Sequence, residues 1–111
     1  MENKNMIFNN INTKAKELVE DIVVYSDNIP SDDLLQLKRK MRCSVKLISP
    51  SVKSLFQKKS RIDKIRGIIE ASSHIEECID YLTMSKKLKY GKSDFLISRC
   101  DELNKLIKSS K

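Results

Sequence analysis

Apolar residues recur along this chain every three or four positions, in runs spanning several turns. That period gathers them on one face of a helix. Ile11, Ala15, Leu18, Val19, Ile22 and Val23, with Tyr25 at the margin, predict a first helix from Ile11 to Asn28 with Glu17, Glu20 and Asp21 on its outer face. Leu34, Leu37, Met41, Ser44, Val45, Ile48, Val52 and Leu55 form a single stripe and predict a second helix from Asp32 to Gln57. Ile62, Ile65, Ile68, Ile69, Ser72, Ile75, Ile79 and Leu82 predict the core side of a third helix, from Arg61 to Lys89. Ala71 and Cys78 widen that arc, so this helix is expected to bury itself against more than one neighbour. Phe95, Leu96, Cys100, Leu103, Leu106 and Ile107 predict a fourth helix from Asp94 to Ser109. Residues 1–10 are Asn-rich, with Met6, Ile7 and Phe8 as a short apolar patch, and read as a loose lead-in to a bundle domain over 11–111.

The boundaries carry their own chemistry. Pro30 disfavours helix at Ile29, Ser31 suits an N-cap, and Asp32 and Asp33 suit the positive end of a helix dipole. Pro50 falls inside the second stripe without shifting its phase, which predicts a kink in a continuing helix. Ser60 and Asp63 approximate a capping box before the third helix. Tyr90-Gly91-Lys92-Ser93 reads as a turn, with Gly91 fit for a left-handed C-terminal position and Ser93 or Asp94 capping the fourth helix. Only two Gly and two Pro occur, and no segment repeats. The expected fold is all-α, an antiparallel up-down-up-down four-helix bundle.

Length and charge sharpen this picture. At 111 residues the chain supports one domain with a thin core. Its net charge is +7, unevenly spread: Lys38 to Arg66 contains eleven basic residues against the single acid Asp63. A basic block of this kind suits a polyanionic partner. Cys43, Cys78 and Cys100 are widely spaced and read as free thiols. With no leader-like start and no apolar run near the ~18 residues of a membrane span, the expected location is the cytoplasm.

Catalytic and metal chemistry find little support. His74 is the only histidine and has no Cys or His at metal-ligand spacing. Glu76, Glu77 and Asp80 share one stretch of the third helix, but no Glu stands three residues before the histidine, as a di-iron bundle requires. No phosphate-cradling glycine loop is present. The expectation is a non-enzyme with no cofactor and no metal. The informative feature is the second helix. At ~100° per residue, Arg39, Arg42, Lys46 and Lys53 fall within an arc of about 60° opposite its apolar stripe. Lys58, Lys59 and Arg61 extend those cations across the next junction. Cations spaced along a rigid helix can follow phosphates without reading bases. The competing reading is a solvated surface on a structural or protein-interaction module.

The sequence also resembles a bacterial four-helix-bundle family. That family joins the ribosomal-RNA intervening-sequence proteins to the accessory variability determinant (Avd) proteins of diversity-generating retroelements. The resemblance runs from the first helix to the C-terminus. It is carried by the Ile29-Pro30 turn, Gln36-x-x-Arg39-x-x-x-Cys43-Ser44-Val45, Pro50 and Lys59-Ser60-Arg61. Ala71-Ser72-Ser73-His74-Ile75-Glu76-Glu77 and Asp101-Glu102-Leu103-Asn104-Lys105-Leu106-Ile107 complete it. Val52-Lys53-Ser54-Leu55-Phe56-Gln57 departs from the Asn-x-x-Glu-Gly ending of the intervening-sequence branch, and Ser73-His74 replaces its Gly-Ser. Both departures lean toward the Avd side. The resemblance implies a ring-like homopentamer and, for the Avd branch, binding of a reverse transcriptase and its template RNA, so RNA is expected in preference to DNA.

Overall fold

The computed structural model describes residues 4–88 and 92–109, and every regular element among them is helical. The elements are α1 (Lys4–Asp27), α2 (Ser31–Lys46), α3 (Ile48–Leu55), α4 (Arg61–Lys87) and α5 (Asp94–Lys108). Because α2 and α3 are separated by Leu47 alone, they act as one broken rod and the protein is a four-helix bundle. Each rod touches two others in the cycle α1, α2/α3, α4, α5 and back to α1. Side-chain pairs step in opposite senses along neighbouring rods. Phe8 meets Phe56 and Asp27 meets Arg42; Leu55 meets Gly67 and Ser44 meets Glu77. Lys86 meets Asp94 and Glu76 meets Lys108; Lys14 meets Glu102 and Asp21 meets Arg99.

The core follows the predicted stripes closely on three rods. Ile11, Ala15, Leu18 and Ile22 of α1 are buried, as are Leu37, Met41, Val45, Ile48, Val52 and Leu55 of α2 and α3. Leu96, Cys100, Leu103 and Ile107 do the same for α5. The first helix begins at Lys4, seven residues before the expected start. Residues 4–10 are helical because Phe8 has something to pack on: its ring lies 5.1 Å from that of Phe56. A nominally loose lead-in is thereby part of the rod.

The second rod breaks at Leu47, not at Pro50. A proline lacks the N–H that would bond the carbonyl four residues back, and its ring collides with that carbonyl. For Pro50 this is the Lys46 carbonyl, so the chain releases the helix just after Lys46. Leu47 closes α2 with a tighter bond from its N–H to Ser44 O (3.2 Å), and α3 restarts with Ser51 N–H bonded to Leu47 O (3.2 Å). Pro50 then sits in the first turn of α3, where helix N–H groups have no partner in any case. Leu47 keeps right-handed helical dihedrals (φ −85°, ψ −14°), so the buried stripe stays in phase across the break.

Helix α2 opens at Ser31 with Pro30 in the cap position. The side chains of Ser31, Asp32 and Asp33 lie outside the described residues, as does the expected Tyr90-Gly91 turn. The start of α4 follows expectation: Ser60 Oγ accepts the Asp63 N–H at 3.1 Å. Ser93 occupies the cap position of α5 but caps nothing with its side chain; its buried hydroxyl donates to Leu82 O (2.9 Å), which also receives Ser85 Oγ (2.8 Å). Two expectations about burial are corrected. Ile62, Ile65 and Ile69 of α4 are 64%, 42% and 64% exposed, and Phe95 is exposed, lying beneath the Arg99 guanidinium at 5.4 Å. The isoleucines are bare because they lie on the outward face of α4, at the angular positions that the exposed Asp80 and Lys87 hold further along, while Ile68, Ala71 and Ile75 turn to the core.

Candidate nucleic-acid interface

The cations singled out in the sequence lie mostly where the helical wheel puts them. Arg39 and Lys46 of α2, Lys53 of α3, and Lys58, Lys59 and Arg61 around the following junction are all exposed. Among the described residues none of these six makes an ion pair. Arg39 and Lys46 are seven residues apart, about 10 Å along a straight helix. Leu47 redirects the rod before Lys53, but the restart in phase keeps Lys53 opposite the buried Ile48, Val52 and Leu55.

Arg42 departs from the expected stripe. It is only partly exposed, and its guanidinium reaches Asp27 of α1 at 3.4 Å. By the 100° rule it lies at the margin of the arc nearest α1. An exposed ion pair of this kind contributes about 0–1 kcal/mol. It therefore leaves Arg42 able to exchange Asp27 for a phosphate, but with a competitor that the other cations lack.

Arg66 was not singled out from the sequence and belongs to the same surface. It lies eleven residues before Glu77, on almost the same face of α4, and Glu77 accepts the Ser44 hydroxyl of α2 at 2.7 Å. Arg66 is exposed. The signal that could have found it is the side of α4 that faces the second rod, which a single helical stripe does not disclose. That side is marked by Gly67, whose missing side chain lets α4 approach Leu55: a Cβ there would stand 3.1 Å from Leu55 Cδ1.

Four acidic groups are engaged elsewhere. Asp21, Glu102, Asp94 and Glu76 pair with Arg99, Lys14, Lys86 and Lys108, all outside the Lys38–Arg66 block. Pairing of this kind cancels charge on the α1–α5 and α4–α5 seams, away from the basic block, where Arg42–Asp27 is the ion pair among the described residues. Of the three carboxylates considered for metal chemistry, Glu77 accepts from Ser44 and Glu76 pairs with Lys108 at 3.8 Å. His74 is half-buried, and among the described residues its Nδ1 has no hydrogen-bond partner and no metal-binding group of three or more His, Cys, Asp or Glu forms. Cys78 and Cys100 are fully buried and in contact, and the hydrogen bond to Cys100 together with burial pushes the Cys78 thiol far up from its ordinary range. Cys43 is exposed, and all three are free. Among the described residues no helix is long and apolar enough to cross a membrane.

Fold and surface together define a class: an all-α four-helix bundle with exposed cations along α2, α3 and the junction that follows. No family model, curated protein or solved structure matches the chain.

Proposed function

We propose that this protein is a non-enzymatic nucleic-acid-binding module that grips phosphates with the exposed face of α2 and α3 and the α3–α4 junction. The observation that carries the reading is the run of exposed cations without ion pairs among the described residues, Arg39, Lys46, Lys53, Lys58, Lys59 and Arg61, gathered on one helix face and the junction that follows it. Arg42 joins them by releasing Asp27. Contacts of this type hold the backbone of a nucleic acid and give little sequence preference. The resemblance to the Avd proteins supports RNA as the nucleic acid, a reverse transcriptase as protein partner and a homopentamer as the working form. Three free cysteines suit a cytoplasmic setting. In a ring, each subunit would present its own stripe, and multivalency would raise a weak single-site affinity.

The test is RNA binding across a salt series with wild type and the R39Q/R42Q/K46Q/K53Q variant. On single strands each neutralised phosphate contributes about −0.7 to the slope of log K against log salt. Removing four phosphate-binding cations would flatten the slope by about 3, and by about 2 if Asp27 keeps Arg42. Light scattering on the same samples measures subunit number. Unchanged affinity and slope in a variant with native circular dichroism would leave the basic face as a solvated surface. The second reading, a protein-interaction module, would then replace this one; the exposed Ile62, Ile65 and Ile69 favour it.

A further inference from the structure

The basic face of the second rod has a shape as well as a charge. Its inner side is anchored by Met41, Val45, Ile48 and Val52, all fully buried. The opposite side is therefore a fixed, convex crest. Arg39, Lys46 and Lys53 stand along it at seven-residue steps, at most about 21 Å from first to last. Between them the crest carries Cys43 and Pro50, both exposed. These side chains are short, so nothing between the cations holds a ligand away from them. Cations also stand on both flanks. Arg42 leans to α1, where it meets Asp27. Lys40 lies one turn before Ser44, on the side that meets Glu77 of α4, and it is exposed with no ion pair among the described residues. No acidic residue occurs between Asp33 and Asp63.

The same face offers no platform for bases. Phe56 is the one aromatic residue between Leu34 and Arg61. It is half-buried, and its ring packs on that of Phe8 at 5.1 Å. Proteins that hold single strands combine a basic groove with aromatic side chains on which successive bases stack. Here the surface is a crest and the ring is taken. A single strand would gain only phosphate contacts, and it would lose its flexibility in following a fixed line of cations. A double helix keeps its bases stacked on one another and is rigid before it binds. It carries two phosphate strands, about twice the charge per unit length of either alone. Those two strands can meet the crest and its flanks together.

We propose that the nucleic acid taken by this face is a double helix, held through the phosphates of both strands. The inference rests on the phosphate-binding reading above and adds the form of the partner.

The test is fluorescence anisotropy at about 0.1 M salt, where surface charges are screened beyond about 10 Å. The probes are a mixed-sequence RNA duplex of about 20 base pairs, roughly two turns, the matching DNA duplex, and an oligouridine of the same length. Concentrations are counted per nucleotide. Oligolysine, which is cationic but has no fixed face, measures the preference that charge density alone produces. The protein should favour a duplex over oligouridine by at least about tenfold more than oligolysine does, one power of ten in affinity being about 1.4 kcal/mol. R39Q/K46Q/K53Q should keep its circular dichroism, bind the duplexes more weakly and lose the excess preference. Either duplex meets the proposal, and the ratio between them identifies RNA or DNA as the source. Oligouridine bound as tightly as both duplexes, or a preference no larger than that of oligolysine, would overturn the inference and leave the phosphate-binding reading standing. Binding of none of the three probes would overturn both.

Discussion

Replacing Pro50 by Ala tests the account of the broken second rod. Alanine supplies an N–H four residues after the Lys46 carbonyl, and one added backbone hydrogen bond is worth about 1 kcal/mol net. Against this, losing a proline whose geometry already fits lets the unfolded chain explore more states, at a cost of about 0.4–1 kcal/mol. The break at Leu47 already holds the Lys46 carbonyl clear of the ring, and Pro50 sits in the first turn of α3. The two effects nearly cancel, so P50A should change stability by less than about 1 kcal/mol, or about 4 °C or less in melting temperature. A proline straining the interior of an unbroken helix would give a different result, since its cost is about 3 kcal/mol and alanine would recover it. Urea titrations followed by circular dichroism separate the cases, with the m-value checked for constancy. A gain of about 2 kcal/mol or more at unchanged m would refute the view that the break relieves the proline.

Other expectations follow from individual side chains. Met41→Ala, at a fully buried site, should cost about 2–5 kcal/mol in the same titrations. Ser60→Ala removes the side-chain cap on Asp63 N–H and should cost about 1 kcal/mol. R42Q should weaken RNA binding less than K46Q, because only Arg42 has Asp27 to release; equal losses would count against that pairing in solution. A thiol reagent should label Cys43 alone in the native protein and all three cysteines in denaturant, as read by mass spectrometry. The raised Cys78 thiol keeps its proton in the folded state, while an unfolded thiol loses it above pH about 8.5. Its contribution is therefore constant below that pH and falls above it by about 1.4 kcal/mol per pH unit, a slope that Cys78→Ala should remove.

The buried faces of α1, α2, α3 and α5 were legible because burial there is one-sided, and one-sided burial writes a 3.6-residue period into the sequence. The start of α4 was not. Ile62, Ile65 and Ile69 carry the same period as core residues, yet they are exposed. Periodicity reports that a face is apolar, and only the arrangement of the neighbouring rods decides which face turns inward; at the start of α4 that is the face of Ile68, Ala71 and Ile75. The break in the second rod was misplaced for a related reason: a proline acts on the turn before it, so the chain yields at Leu47. Within the candidate interface the exposed cations could be read from one helix at a time. The Arg42–Asp27 pair and the membership of Arg66 depend on which rods are neighbours, and no single-helix pattern contains that.

The seam between α1 and α5 has a kinetic consequence. Every other interface joins helices that follow one another in the chain, but Lys14–Glu102 and Asp21–Arg99 close loops of 88 and 78 residues. Bringing such distant segments together is entropically the slowest demand on the chain, whereas sequential hairpins need only local closure. The α2/α3–α4–α5 meander should therefore assemble first and α1 dock onto it last. The same order in reverse makes α1 the first rod to detach. Amide exchange should then be faster in α1 than at the centre of α4, even at the fully buried Leu18 and Ile22.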